Sequence, residues 1–364
     1  MRFRTDLPDS NNTKMARTDD YLLVSMGMFI IDDICYPESW NEEPKYDIIG
    51  GAGPFCIAGS RIVAGPQNAH RIGGIVDKGR DFPSEVELQL ASWGTGIIFR
   101  RDNNRLTTRG INFYDKDEVR HFEYSSPKKR IEASDILAND RFGTTKSIHI
   151  ISSIDRCESI VHQLRGTMSY GSRSPIFIFE PLPDDCISKN YESLARVLPY
   201  IDIFSPNLEE ATRLAGLPSM PNTKEELEKL SQSFFSHLPE TAGCVIRCGK
   251  MGCNIRTSDL LIMLPAYYSD QSKVPDVTGG GNLFCGGFVT GYCMSKGNWK
   301  VAGVCGNLAS GCIIESLGMP TLTTGQSECE AWNGIITKER LENYKAEIMN
   351  TTDIAVEWEQ LDWL

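Results

Sequence analysis

Residues Pro275–Gly291 read PDVTGGGNLFCGGFVTG. Three consecutive glycines ahead of an apolar, helix-spaced run leave several backbone N–H groups unobstructed at a helix N-terminus. Such a terminus carries about +0.5 of an elementary charge and is suited to phosphate. The same glycines also suit a plain loop that must turn into a helix, so Gly279, Gly280 and Gly281 alone leave both readings open. A second group, Asn207-Leu208-Glu209-Glu210, follows the strand-like run IDIF and Ser205-Pro206. Asn with Glu three residues on is nearly a capping box and could simply start a helix over Leu208–Ala215. At the carboxyl end of a parallel strand the pair could instead serve a ligand, Glu210 through water-coordinated Mg²⁺ and Asn207 through a phosphate. Two familiar nucleotide motifs fail on spacing. A GxGxxG fingerprint from Gly279 meets Phe284, and one from Gly51 meets Cys56; a P-loop ending at Gly249-Lys250 would need Gly and Ser/Thr where Cys244 and Met251 stand. Neither a Rossmann oxidoreductase nor a P-loop NTPase is supported.

The elements that must hold these groups alternate. Tyr21–Ile31 predicts a strand covered on both faces, ending in Asp32 and Asp33. A Gly-rich turn at Gly50–Gly53 leads into a helix over Phe55–Val63. Within 86–125, VELQLASW, GIIFRR and INFY read as short β-type runs, an antiparallel excursion. Strands then follow at Ser147–Ile151, Pro175–Phe179 (closed by Glu180), Ile201–Phe204 and Cys244–Cys248, with helices at Ile154–Leu164, Tyr191–Leu198 and Thr223–Leu238. Thr223 is the expected N-cap of the last, with Glu226 completing a capping box. Helices over Trp299–Ser316, capped by Asn298, and Lys338–Ile348 close the chain. Such alternation predicts a parallel sheet with helices on both faces and ligands outside the strands' carboxyl ends.

The chain has 364 residues, with 37 Lys and Arg against 48 Asp and Glu, a formal charge of −11. That balance argues against a nucleic-acid partner and against an anionic membrane surface. No apolar run is long enough to span a bilayer. The first twenty residues are polar and lack the apolar core of a secretory signal, so a flexible lead-in and a cytoplasmic or nuclear setting are expected. The 12 cysteines include no CxxC pair. They are expected to be free thiols in a reducing compartment rather than a metal cluster.

Taken in order, the motifs resemble the ribokinase-like, PfkB-type carbohydrate kinase family over about residues 21–320. Gly27 through Asp32 match its N-terminal strand, Gly50-Gly51 its substrate turn, and Asn207 with Glu210 its Asn-x-x-Glu pair. CVIRCGKMG, with Gly249 and Gly252, matches its strand and Gly-x-x-Gly turn, and Asp276–Asn282 its closing motif. The stretches GIVDKGRDFP, EPLPDDC and ESLGMP are similar to a fungal, maintenance-of-killer-type subgroup. The resemblance implies a three-layer α/β/α fold with a mostly parallel central sheet over 21–325, a small β lid from segments near 32–49 and 90–125, and a C-terminal helix and acidic tail over 326–364. It implies ATP-dependent phosphoryl transfer to a hydroxyl of a sugar-like molecule, with Mg²⁺ and, in some members, K⁺. It further implies that Asp32, Gly50 and Gly51 line the substrate side and that Gly279–Gly281 form the anion hole. Asn207, Arg247, Gly249, Gly252 and Asn307 would border the nucleotide, Glu210 would act through Mg²⁺, and Asp276 and Thr278 would hold the monovalent cation. Members often dimerise through their lids, so a homodimer is expected.

One position departs from the pattern. The motif's last residue is the aspartate that takes the proton of the attacking hydroxyl; here it is Asn282. A carboxamide orients a hydroxyl but cannot accept its proton. Arg247 stands where a small hydroxyl residue is usual, adding a cation near the phosphates. Pro54 and Phe55 stand near the substrate turn where the family has an Asn. Two readings follow: a carbohydrate kinase, or a pseudokinase that binds nucleotide or sugar phosphate and acts as a regulatory protein. The late tryptophans Trp358 and Trp363 would fold back on their own domain or dock a partner.

Overall fold

The computed structural model describes residues 20–37, 40–114, 120–168, 174–315, 318–324 and 329–364. The expected lead-in up to residue 19, and Ser316 and Leu317 of the ESLGMP stretch, lie outside the described residues. Elements are numbered in chain order. A nine-stranded sheet forms the middle layer, in the order β13-β12-β11-β10-β9-β8-β1-β4-β5. Its strands are β1 (Leu23–Ser25), β4 (Ile72–Lys78), β5 (Ile98–Arg101), β8 (Ser147–Ser152), β9 (Ile176–Pro181), β10 (Ile203–Phe204), β11 (Gly243–Arg247), β12 (Cys253–Arg256) and β13 (Leu261–Leu264). From β11 to β5 every pairing is parallel; β12 and β13 return antiparallel at one edge.

Alternation within the strands sorts side chains to the two faces. Leu23, Ile178 and Val245 enter one core, and Val24, Phe177, Phe179 and Ile246 the other. The first core is roofed by α1 (Ala52–Asn68), α2 (Ser84–Ser92), α8 (Gly280–Met294), α9 (Trp299–Ile314) and α10 (Thr337–Thr351). The second is covered by α3 (Ala133–Leu137), α4 (Ile154–Arg165), α5 (Tyr191–Val197), α6 (Leu208–Leu214) and α7 (Lys224–Phe235). The result is the expected three-layer α/β/α architecture. Close approach of α1 and α8 fixes where α8 begins: a Cβ on Gly286 would strike the carbonyl of Cys56, and one on Gly59 the backbone of Leu283.

A second sheet of four strands has the order β3-β2-β6-β7, from β2 (Ile30–Cys35), β3 (Lys45–Gly50), β6 (Arg109–Tyr114) and β7 (Arg120–Tyr124). The single strand expected over Tyr21–Ile31 is therefore two. The chain leaves the main sheet after Ser25 and enters the second at Ile30, and burial of both segments hides the crossing from sequence. VELQLASW is also corrected: it belongs to helix α2, with Val86, Leu90 and Trp93 buried at helical spacing and Leu88 70% exposed. Its V-E-L-Q-L alternation mimics a strand. GIIFRR contributes β5, which pairs with β4 in the main sheet rather than with the second sheet. At α7, Thr223 does cap, accepting from Glu226 N–H at 3.2 Å, but Glu226 reaches back to Asn222 N–H rather than to Thr223.

All 12 cysteines are free thiols, and Cys329 alone is exposed. The tail lies on the first core, where Trp332, Tyr344, Ile348 and Leu361 are buried and Trp358 and Trp363 pack against them. Among the described residues no helix is long and apolar enough to cross a membrane.

Candidate active site

The carboxyl ends of three adjacent parallel strands bring the polar groups together. Glu180 lies near the end of β9, Asn207 follows β10, and Arg247 ends β11, with Asn207 bridged to Arg247 in parallel. Asn207 Oδ1 accepts from Glu210 N–H at 2.8 Å, and Glu210 Oε2 accepts from Asn207 N–H at 2.7 Å. This reciprocal capping box starts α6, so the helix-starting role is realised whatever else the pair does. Facing them, α8 opens after Gly279, which is left-handed at φ 78° and provides no side-chain cap. A Cβ on Gly281 would collide with Arg247 Nη1, so the guanidinium lies directly against the first turn of α8.

Arg247 Nη1 meets Glu180 Oε1 at 2.6 Å; Nη2 donates to the Ser205 carbonyl at 3.1 Å and lies 3.4 Å from Glu210 Oε2. Glu180 Oε2 accepts from Asn282 Nδ2 at 2.7 Å and lies 3.1 Å from His149 Nε2. A carboxylate only accepts, so Asn282 presents its NH₂ group and His149 its Nε2–H. His149 Nδ1 lies 3.0 Å from the Ser25 hydroxyl. Burial pushes the Glu180 carboxyl upward, but Arg247, with His149 and Asn282, holds it down to about 2. Burial raises the Glu210 carboxyl above its usual range in spite of Arg247. One guanidinium thus serves two carboxylates, and the closer one keeps most of its charge.

A ring nitrogen of His149, a carboxylate oxygen of Glu180 and Cys285 Sγ lie within 4.8 Å of one another, all buried. Burial pushes the Cys285 thiol far up, and its Sγ–H points to Ser205 Oγ at 3.7 Å. A protonated thiol is a poor metal ligand, and the cluster is satisfied as a hydrogen-bond network.

A cavity of about 630 Å³ lies between the second sheet and the residues ahead of α8. Its walls include Asp32, Tyr36, Trp40, Phe55, Asp276 and Thr278. A Cβ on Gly50 would collide with the Asp32 carboxylate, so this glycine makes room for it. The Phe55 ring packs on Gly279, which joins the cavity wall to the mouth of α8. Asn282 is not among the walls.

The expected site residues therefore fall into groups. Asp32, Asp276 and Thr278 line the cavity, with Gly50 packed against Asp32; Asn207, Glu210, Arg247, Gly281 and Asn282 meet at the mouth of α8. Gly51, at φ 84°, starts α1, where a Cβ would strike the Met28 carbonyl. Gly249 and Gly252 take φ 55° and 94° in the turn from β11 to β12, Gly249 beside open space and Gly252 packed against the Leu264 carbonyl. Asn307 lies beside the segment that packs on Gly252, its Nδ2 donating to the Pro265 carbonyl at 3.0 Å and to Tyr344 Oη at 2.8 Å. Glu180 and His149 are central to the network and had no assigned role. The one signal was polar residues in otherwise apolar strands, SIHII and PIFIFE.

Residues 100–323 match the pfkB family of carbohydrate kinases. The protein MAK32 of Saccharomyces cerevisiae is 38% identical over 361 residues, covering 92% of this chain and 93% of its own. Among solved structures, ribokinase from Giardia lamblia superposes with a TM-score of 0.66 at 16% identity, covering 90% of this chain and 99% of its own. A putative ribokinase II from E. coli, in complex with ATP and Mg²⁺, gives 0.60 at 16% identity, covering 82% and 94%. The fold is ribokinase-like, and the chain belongs to the PfkB carbohydrate kinase family, within its fungal maintenance-of-killer subgroup.

Proposed function

We propose that this protein transfers the γ-phosphoryl group of ATP to a hydroxyl of a sugar- or nucleoside-like molecule that reaches from the cavity to the mouth of α8, and does so slowly. Asn282 carries this reading. With its NH₂ group committed to Glu180 at 2.7 Å, its Oδ1 is left to accept a hydrogen bond from the acceptor hydroxyl. The acceptor oxygen bonds to the γ-phosphorus, and the β–γ bridging oxygen leaves with ADP. The hydroxyl proton passes to the transferred phosphoryl oxygens, because an amide oxygen can orient it but not hold it. Absence of a general base costs about 10²–10⁴-fold. Positioning and electrostatics, which dominate phosphoryl transfer, are retained. The Gly279–Gly281 amides would receive the phosphates, Asn207, Gly249 and Gly252 would flank the nucleotide, and the second sheet would act as a lid over the acceptor.

Of the metals implied by the family, Mg²⁺ fits less well. Glu210 Oε2 is engaged by Asn207 N–H, and a guanidinium stands between Glu210 and Glu180, a poor setting for Mg²⁺. Asp276 Oδ1 accepts from Thr278 N–H at 2.9 Å, which leaves its other oxygen for K⁺. A second reading, binding without transfer, rests on the same amide at position 282. Calorimetric titration with ADP, together with γ-labelled ATP and a panel of sugars and nucleosides, separates the cases. ADP binding with slow label transfer is the expected result. Binding without any transfer favours the second reading, and no ADP binding overturns both.

A further inference from the structure

We infer that Arg247 replaces the protein-held divalent ion of this site, so that phosphate groups bind at the mouth of α8 without Mg²⁺. The inference rests on the nucleotide reading above and adds what neutralises the phosphates. Three observations support it. First, the guanidinium occupies the space between the two carboxylates, 2.6 Å from Glu180 and 3.4 Å from Glu210. A dication there would meet like charge, and three of the four carboxylate oxygens it would recruit already have partners. Second, the guanidinium lies against the first turn of α8, and only glycine at 281 leaves it room. A fixed cation and the positive end of a helix therefore face the same point, the pairing that favours an anion. Third, of the four N–H groups on the Arg247 Nη atoms, three meet Glu180, Ser205 and Glu210, which leaves one on Nη1, the nitrogen against Gly281, for a phosphate. The side chain is 11% exposed, and its buried Nε has no partner among the described residues. Five N–H groups in a rigid fork can hold Glu180 and still donate to a phosphate, whereas the ordinary occupant, a small hydroxyl residue, could not.

The test uses the full chain and ADP, titrated calorimetrically in EDTA and again in excess MgCl₂. The affinities are expected to agree within about threefold. Arg247→Ser should lower affinity in EDTA about tenfold or more, the loss of a charge-assisted bond, and Mg²⁺ should then restore part of it. Electron paramagnetic resonance of added Mn²⁺ gives a second readout: no bound Mn²⁺ in the wild type, and bound Mn²⁺ once Arg247→Ser frees the carboxylates. Because Arg247→Ser could fail to fold, Arg247→Lys accompanies it, keeping the charge and the metal independence while losing the fork. Binding of ADP to the wild type only with Mg²⁺ overturns this inference and leaves the nucleotide reading intact. Failure to bind ADP under either condition overturns the nucleotide reading and this inference with it.

Discussion

Replacing Asn282 by aspartate, the obvious way to restore a catalytic base, should destabilise this protein rather than repair it. In Asn282→Asp a carboxylate oxygen would stand where Nδ2 now lies 2.7 Å from Glu180 Oε2. Two unit charges at that distance repel by about 6 kcal/mol at an effective dielectric constant of about 20. Protonating the new aspartate avoids this, at about 1.4 kcal/mol per pH unit above its unfolded pKa of about 3.9, or about 4 kcal/mol near pH 7. The cheaper route prevails, and a hydrogen bond from the protonated carboxyl to Glu180 offsets part of it, leaving a loss of roughly 2–4 kcal/mol. The folded-state pKa of the new carboxyl is raised, so its penalty is absent at acid pH and grows as pH rises through the neutral range. Urea unfolding followed by tryptophan fluorescence at several pH values measures this. Glu180→Gln combined with Asn282→Asp exchanges the amide and the carboxylate across the same contact, so the double variant should recover about 2 kcal/mol in a mutant cycle. A single variant as stable as the wild type at every pH, or equally destabilised at every pH, would refute the Asn282–Glu180 contact as described.

Glu180 itself sets an acid limit. Its folded pKa of about 2 lies below its ordinary 4.5, so it contributes roughly 3 kcal/mol above the unfolded value, lost as pH falls toward 2. Glu210, shifted the other way, contributes a smaller opposing trend. Acid unfolding of Glu180→Gln should lack the steep part of the wild-type curve. Gly281→Ala forces the guanidinium away from α8 and should cost about 1–3 kcal/mol with loss of ADP affinity, read by thermal shift with and without ADP. Tyr344→Phe removes the hydroxyl that donates to Pro265 O at 2.5 Å and accepts from Asn307. It should lower stability by about 1–2 kcal/mol while leaving ADP affinity unchanged; a large affinity loss would show that the Tyr344–Asn307 pair supports the nucleotide.

Much of the fold was legible because its signals are local. CVIRC and SIHII are short apolar runs that become strands at nearly the expected limits, IDIF becomes one only over Ile203–Phe204, and Asn298 caps α9 by accepting from Lys300 and Val301 N–H. Errors arose where a local pattern has two meanings. V-E-L-Q-L alternates like a strand but buries Val86 and Leu90 at helical spacing. YLLVSMGMFII is apolar throughout, so nothing within it marks the passage from one sheet to another. The candidate site was legible in its glycines and in Asn207 and Glu210, whose spacing is itself a local constraint.

What the chain alone determined, then, is the order of elements, the family, and the amide at position 282 that cannot serve as a base. Tertiary structure decided which groups meet there. His149, Glu180, Arg247 and Asn282 are separated by between 31 and 133 residues, as 180 − 149 and 282 − 149 give, and only the parallel stacking of β8, β9, β10 and β11 beneath α8 brings them together. Charge states depend on that assembly: the same carboxyl is held near 2 at Glu180 and raised at Glu210. Burial and a shared guanidinium act through distance in space, which spacing along the chain does not encode.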